Sequence, residues 1–170
     1  DLSDSTALSD NTIIQLYQDN KGNIWACTDY GLKCLNRETG QFKRYFKRDG
    51  LPSNRIMGIT EDNYGDLWIT TSNGLSHLNV ESEKFTNYYE KDGLLSVKFS
   101  PRAIYKSIKG NVFIGSVNGV NYFDPNNIPK NTQSADLIIQ DLWVNNKKVS
   151  VNEKINNRVI LENSLKYTDS

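Results

Sequence analysis

The sequence predicts an all-β chain of about three four-stranded β-propeller blades in an incomplete ring, followed by the first strands of a β-sandwich domain. Three observations predict it. The stretch from Asp62 to Leu75, DNYGDLWITTSNGL, occurs in altered form upstream from Asp19 to Leu32 and downstream from Ser107 to Val120. The spacing is regular: Gly22 to Gly65, Trp25 to Trp68 and Gly31 to Gly74 are each 43 residues apart. The match also runs past the motif, pairing Asn11 with Asn54, Phe42 with Phe85, Tyr45 with Tyr88, and Asp49-Gly50-Leu51 with Asp92-Gly93-Leu94. A period in the forties with aromatic and glycine markers is that of propeller blades. No segment places apolar residues at helical spacing, which argues against helical repeats of similar length.

The elements follow in order. Residues 1–10 are polar, and Leu8-Ser9-Asp10-Asn11 matches Leu51-Pro52-Ser53-Asn54, so they read as a loop between blades. The first blade, 11–53, has strands at Thr12–Gln18, Asn23–Thr28, Leu32–Asn36 and Gln41–Lys47. Asp, Asn and Gly at the intervening turns tolerate the backbone angles that tight turns demand. The second blade, 54–99, repeats this with strands at Arg55–Glu61, Asp66–Thr71, Leu75–Asn79 and Lys84–Tyr89. The third, 100–125, has strands at Arg102–Ile108, Asn111–Ser116 and Val120–Asp124 and lacks its outer strand, as expected of the last blade of a ring. Gly65 to Gly110 is 45 residues, read as a small loop insertion. Residues 126–134, rich in Pro and Asn, read as a linker. In 135–170, strands are expected at Ala135–Val144, Val149–Val151, Val159–Leu161 and Leu165–Tyr167, with a hairpin turn over Asn145-Asn146-Lys147-Lys148.

Composition narrows the function classes. Twenty basic and twenty acidic residues cancel, so there is no clustered cationic footprint for nucleic acid or anionic membrane. No apolar run approaches the length of a membrane span. The opening Asp1-Leu2-Ser3-Asp4 carries no signal-peptide pattern and looks like a cut end, which leaves export open. Cys27 and Cys34 lie on consecutive strands and read as two buried thiols, with a cross-strand disulfide as the alternative. His77 is the single histidine and reads as an ordinary polar side chain. One histidine leaves little room for a His-based metal site or a catalytic triad, and no Gly-rich phosphate loop is present, so no metal and no cofactor are expected.

The recurring residues read as structural. Gly22, Gly31, Gly65 and Gly74 suit turns that need positive φ, and Gly110 and Gly119 recur at the same places. Trp25 and Trp68 are expected between neighbouring blades, with Phe113 filling the same place and a carbonyl or Asp accepting each indole N–H. Asp19 and Asp62 are expected to accept backbone N–H groups of the turn. Thr28, Thr71 and Ser116 are expected to tie strands through their hydroxyls. The variable positions carry the functional reading. In an up-and-down blade the loop between strands two and three shares a face with the connection to the next blade. That face holds Asp29, Tyr30, Ser72, Asn73, Val117 and Asn118, with Arg48, Asp49, Ser53, Asn54, Arg55, Lys91, Asp92, Lys98 and Arg102 near its rim. Loops on a rigid scaffold are where binding chemistry is placed. Tyr30, Asn54, Arg55, Asn73, Arg102 and Asn118 are the candidate ligand-binding residues, suited to hydrogen-bonding hydroxyls and stacking on sugar rings; plain solvated loops are the competing reading.

The repeat Asp-x-x-Gly-x-Leu/Ile-Trp-x-x-Thr-x-x-Gly-Leu, followed by an aromatic strand and Asp-Gly-Leu-Pro-Ser-Asn, resembles the two-component regulator propeller repeat. Residues 11–53 and 54–96 match it closely, residues 100–125 in a degenerate form with Ser107 for Asp and Phe113 for Trp. Residues 135–167 resemble the start of the immunoglobulin-like, three-tyrosine domain that follows such propellers. The resemblance implies a periplasmic sensor segment of a Bacteroides-type hybrid two-component system whose parent histidine kinase sits in the inner membrane. It implies oligosaccharide ligands and control of polysaccharide-utilisation genes. This chain itself would have no catalytic domain, would bind no nucleic acid, and would partner the rest of its own sensor chain.

Two rivals remain. A propeller lyase needs acid/base residues with a metal, and one histidine without clustered loop carboxylates argues against it. A protein-interaction propeller of the WD-repeat kind lacks its Gly-His and Trp-Asp signatures here, though interaction as such stays open. Three blades do not close a ring, so the open sides are expected to drive self-association into a homo-oligomer, such as two chains forming one six-bladed ring.

Overall fold

The computed structural model describes residues 12–128 and, beyond them, four short strands. The chain divides into two compact units, Asp1–Asn131 and Thr132–Ser170. The first unit is a row of antiparallel sheets, each strand hydrogen-bonded to the next in sequence. Blade 1 runs β1 (Ile13–Gln18), β2 (Ile24–Thr28), β3 (Gly31–Leu35), β4 (Phe42–Tyr45); blade 2 runs β5 (Ile56–Glu61), β6 (Leu67–Thr71), β7 (Gly74–Asn79), β8 (Lys84–Tyr88). The third sheet holds β9 (Phe99–Lys106), β10 (Val112–Ser116) and β11 (Gly119–Phe123), and the chain leaves it through a 3-10 turn at Pro125–Asn127. Gln41 to Lys47 is thus only partly strand: β4 stops at Tyr45, and Lys47–Asp49 forms a 3-10 turn closed by Gly50 at φ 119°.

The repeat motif builds each blade the same way. Asp19 Oδ1 accepts the N–H groups of Lys21 (3.0 Å) and Asn23 (2.8 Å), closing the β1–β2 turn, while its Oδ2 accepts the Trp25 indole N–H at 2.9 Å. Asp62 does the same for Tyr64, Asp66 and Trp68. One carboxylate thus shapes the turn and satisfies a buried indole donor, as a buried Trp requires. At the other end of each hairpin, Thr28, Thr71 and Ser116 donate to the carbonyls of Gly31, Gly74 and Gly119. Gly74, at φ 123°, must be glycine: a Cβ there would stand 3.0 Å from the Tyr89 ring and 3.1 Å from the Tyr88 carbonyl oxygen.

The core lies between blades. Trp25, Cys27, Leu32 and Tyr45 of blade 1 pack with Ile56, Ile59, Leu67, Ile69 and Leu78 of blade 2. Trp68 and Leu75 of blade 2 pack with Phe99, Ile104, Val112 and Ile114 of the third sheet. The first strands of successive sheets lie side by side. The Gln15 amide brackets Ile59, donating to its carbonyl and accepting its N–H at 3.1 Å each, and Glu61 N–H donates to the Tyr17 hydroxyl.

Three expectations are corrected here. The two extra residues of the third repeat are not in a loop. Ile56 and Ile59 face Thr71 and Ile69 in blade 2, whereas Phe99 and Ile104 face the equivalent Ser116 and Ile114 in the third sheet. The insertion is a bulge within β9, which therefore begins at Phe99 and carries Arg102 at φ 60°. Phe113 does not fill a junction: it is 37% exposed and stacks on Tyr122, and among the described residues no further blade covers it. In the second unit Lys147 and Lys148 are strand residues rather than turn. There β12 (Leu142–Val144) pairs with β13 (Lys147–Val149), and β14 (Lys154–Ile155) pairs with β15 (Arg158–Val159). A hairpin that closes over two residues leaves both lysines free to join the ladder. The expected loop at 1–10 and the expected strand residues 135–141, 150–151, 160–161 and 165–167 lie outside the described residues.

Candidate functional site

The β2–β3 turn and the connection leaving β4 meet on one face of blade 1. Gly31 N–H donates to Asn54 O at 2.6 Å, and the Asn54 side-chain oxygen accepts Lys47 N–H at 2.7 Å. The Arg55 guanidinium (Nε) pairs with Asp29 at 2.8 Å. Asp49 Oδ2 accepts Phe46 N–H at 2.8 Å and fixes the 3-10 turn. Local sequence thus sets a rigid frame: Asp49-Gly50 forces the turn, and Gly31 lets the hairpin pass close beneath it.

Within this frame lies an open pocket of about 380 Å³ lined by Tyr30, Arg44, Phe46, Lys47, Arg48 and Asn54. The Phe46 ring stands 5.4 Å from Tyr30 and 4.8 Å below the Arg48 guanidinium. Tyr30 is half exposed. Two aromatic faces, a fixed amide and three cations therefore surround one opening, which can stack a ring and hold a polar or anionic substituent.

The structure brings Tyr30 and Asn54 together, with Arg55 one residue along and held by Asp29. Asn73 occupies the corresponding turn of blade 2, where its N–H donates to the Thr71 hydroxyl. Asn118 commits its amide to the carbonyl of Leu95 at 3.1 Å. Arg102 is exposed at the β9 bulge in a strand, not in a connecting loop. The six candidates are thus spread over three sheets, and one pocket holds two of them. Sequence reasoning misses Arg44, Phe46 and Lys47, because it places all three in a strand. A signal was available: across the repeat, Arg44 becomes Asn87 and Lys47 becomes Glu90, while Phe46 stays aromatic as Tyr89.

The remaining reactive groups are inert or structural. Cys27 and Cys34 are free thiols. The ladder sets Cys34 opposite Trp25 and Cys27 opposite Leu32, so they do not face each other. Burial pushes both thiols up, Cys34 to about 11, which keeps them protonated and unreactive at neutral pH. His77 Nε2 lies 3.4 Å from Asp66 and 3.9 Å from Asp62, with its ring 4.6 Å from Trp68. Both carboxylates already accept N–H donors, Asp62 from Tyr64, Asp66 and Trp68, Asp66 from Asn79 and Val80. The cluster is a post that holds Trp68. Among the described residues no helix is long and apolar enough to cross a membrane.

The family model for the two component regulator propeller matches residues 7–30 and 50–73. No curated protein matches the sequence. Among solved structures, the chain resembles the extracellular domain of the hybrid two component system BT3049 from B. thetaiotaomicron, at 25% identity and a TM-score of 0.66. The match covers 85% of this chain and 21% of that one. It also resembles the extracellular domain of the hybrid two component system BT4673 from the same organism, at 26% identity, a TM-score of 0.62, and coverage of 75% and 19%. PorZ, a surface component of the type-IX secretion system of Porphyromonas gingivalis, shares the fold at 18% identity and a TM-score of 0.57, over 69% of this chain and 18% of that chain. The chain thus spans about a fifth of the length of the structures it matches. The matched segments, the antiparallel blade-like sheets and the two extracellular-domain neighbours agree: residues 7–30 and 50–73 carry the two-component regulator propeller repeat.

Proposed function

We propose that this chain is an extracytoplasmic ligand-sensing part of a hybrid two-component system and that its blade-1 rim binds an oligosaccharide. The observation that carries the reading is the pocket at Tyr30, Phe46, Arg48 and Asn54, where aromatic faces and hydrogen-bonding groups sit on a rigid frame. Its likeness to extracellular domains of such systems supports the cellular setting. The chain does no chemistry of its own in this reading; its parent is a membrane-anchored kinase that controls polysaccharide-utilisation genes. Bound sugar shifts the receptor only by its differential affinity for two arrangements. A thermal-shift screen with neutral and acidic oligosaccharides tests it, since a ligand that binds the folded state raises its melting temperature by mass action. No shift with any sugar would sink the reading.

A second reading has its own observation. Tyr105, Phe113, Val120 and Tyr122 leave an apolar face exposed on the third sheet. Such a face suits a protein partner or a second copy of the chain. Light scattering that shows only a monomer at high concentration would remove self-association.

A further inference from the structure

We propose that the blade-1 pocket is selective for sugars bearing an anionic group, a carboxylate or a sulfate on the ring; this rests on the oligosaccharide reading and narrows its ligand class. Two blades share one scaffold and differ at the same rim positions. Blade 1 sets Arg44, Lys47 and Arg48 around the pocket, with Arg55 beside it on Asp29, and the nearby carboxylates are Asp29 and Asp49. Asp29 is engaged by Arg55 at 2.8 Å, and Asp49 by the Phe46 N–H and, in a long and exposed pair at 3.9 Å, by Arg48 Nε. No carboxylate lines the pocket itself.

The equivalent positions in blade 2 are Asn87, Glu90, Lys91 and Lys98, with Ser72 and Asp92 in place of the two carboxylates. There the charges cancel, and Tyr30 is replaced by Asn73 and Asn54 by Val97. Both blades nevertheless make the same turns: Asp92 Oδ2 accepts Tyr89 N–H as Asp49 accepts Phe46 N–H, and Gly74 N–H reaches Val97 O as Gly31 N–H reaches Asn54 O. The fold therefore does not require the cations or the second aromatic ring of blade 1. Their placement suits a pyranose stacked on Tyr30 or Phe46, with its anionic group held by Lys47 and the planar guanidinium of Arg48, which matches carboxylate and sulfate oxygens. A volume of about 380 Å³ lies within the range of small-molecule clefts.

Isothermal titration calorimetry of the chain tests this with digalacturonate, a sulfated N-acetylglucosamine disaccharide, neutral digalactose and inorganic sulfate. We expect one of the two acidic sugars to bind, which also tells carboxylate from sulfate. The double variant K47Q/R48Q should then weaken binding about tenfold or more, the worth of one charge-assisted contact. K91Q, at the blade-2 rim, should leave it unchanged, and Y30A should weaken it at any salt concentration. Equal binding of digalactose, or indifference to K47Q/R48Q, would overturn the anionic preference and leave the oligosaccharide reading standing. Binding of inorganic sulfate as tight as that of the sugars would reduce the pocket to an anion trap and overturn the proposal. No heat with any sugar would overturn both.

Discussion

The junction between blades 1 and 2 and the junction between blade 2 and the third sheet start from the same motif and end differently. In the first, β8 supplies Phe85, which packs edge-on to Tyr45 at 5.7 Å and presses on Gly50, and Asn87, whose amide donates to Gly50 O at 2.8 Å. In the second, the third sheet has no fourth strand among the described residues. Gly93, the counterpart of Gly50, has nothing within 4 Å of where a Cβ would stand. Asn121 from β11 reaches across instead, accepting Leu95 N–H at 3.2 Å and donating to Gly93 O at 3.4 Å. The space that β8 fills in one junction is a pocket of about 120 Å³ in the other, lined by Trp68, Leu75, Tyr88, Phe123 and Ile128 among others. The Asp–Trp–Gly motif therefore raises the walls of a junction, and the outer strand of the following blade closes it. Cohesion between blades is non-local even though each blade is local.

The tryptophans offer the largest way to break this comparison. Trp25→Ala and Trp68→Ala should each cost about 3–5 kcal/mol, the usual range for emptying a buried aromatic site. Trp25 should cost more, because Tyr45 and Phe85 enclose the cavity it leaves, whereas the void at Trp68 opens into the pocket and can wet or collapse. Urea unfolding followed by circular dichroism checks the order, and equal losses would mean the two junctions are energetically alike.

The two glycines sharpen it. Both sit at positive φ, 119° at Gly50 and 101° at Gly93, so alanine at either carries the left-handed penalty of roughly 1 kcal/mol. Only at Gly50 does the new methyl also meet Phe85, at 3.0 Å. Gly50→Ala should therefore lose at least about 1 kcal/mol more than Gly93→Ala in the same unfolding experiment.

The smallest effect lies at the opposite end of the junctions. Glu61 Oε2 accepts Asn20 N–H at 2.9 Å in the first junction, while its counterpart Lys106 donates to Asn63 in the second. Burial, ahead of the carboxylates of Asp19 and Asp62, pushes the Glu61 carboxyl above the ordinary range. A raised carboxyl favours the folded state at low pH, and that contribution is lost as pH climbs through the ordinary value of about 4 to the raised one. Glu61→Gln keeps the acceptor and removes the charge. It should raise stability at pH 7 by less than about 1 kcal/mol and change nothing at pH 3. Melting curves at the two pH values check this, and a loss of stability at pH 7 would mean that the charge itself holds the junction.

Much of this was legible in the sequence because the repeat constrains it twice. Asp19 and Asp62, the two tryptophans and the turn glycines announced strands, turns and inter-blade packing, since one short motif must satisfy turn donors and a buried indole together. The site was less legible. Tyr30 and Asn54 stood out as loop residues, but Phe46 and Lys47 were hidden in an expected strand, because β4 ends two residues early in a turn that Asp49 and Gly50 impose, and Arg44 lies in that strand as expected. The β9 bulge was hidden for a similar reason: spacing counts extra residues without saying where the ladder expels them.

The sequence by itself determined the blades: alternation, turn chemistry and a fixed period are local properties, and antiparallel neighbours in sequence need no distant partner. Only the tertiary structure decided which side chains meet across blades. That Phe85 closes on Gly50 while Gly93 stays open, that Phe113 faces outward, and that three cations gather around Phe46 all depend on whether a neighbouring strand is there to fill the space, and no local rule encodes a neighbour.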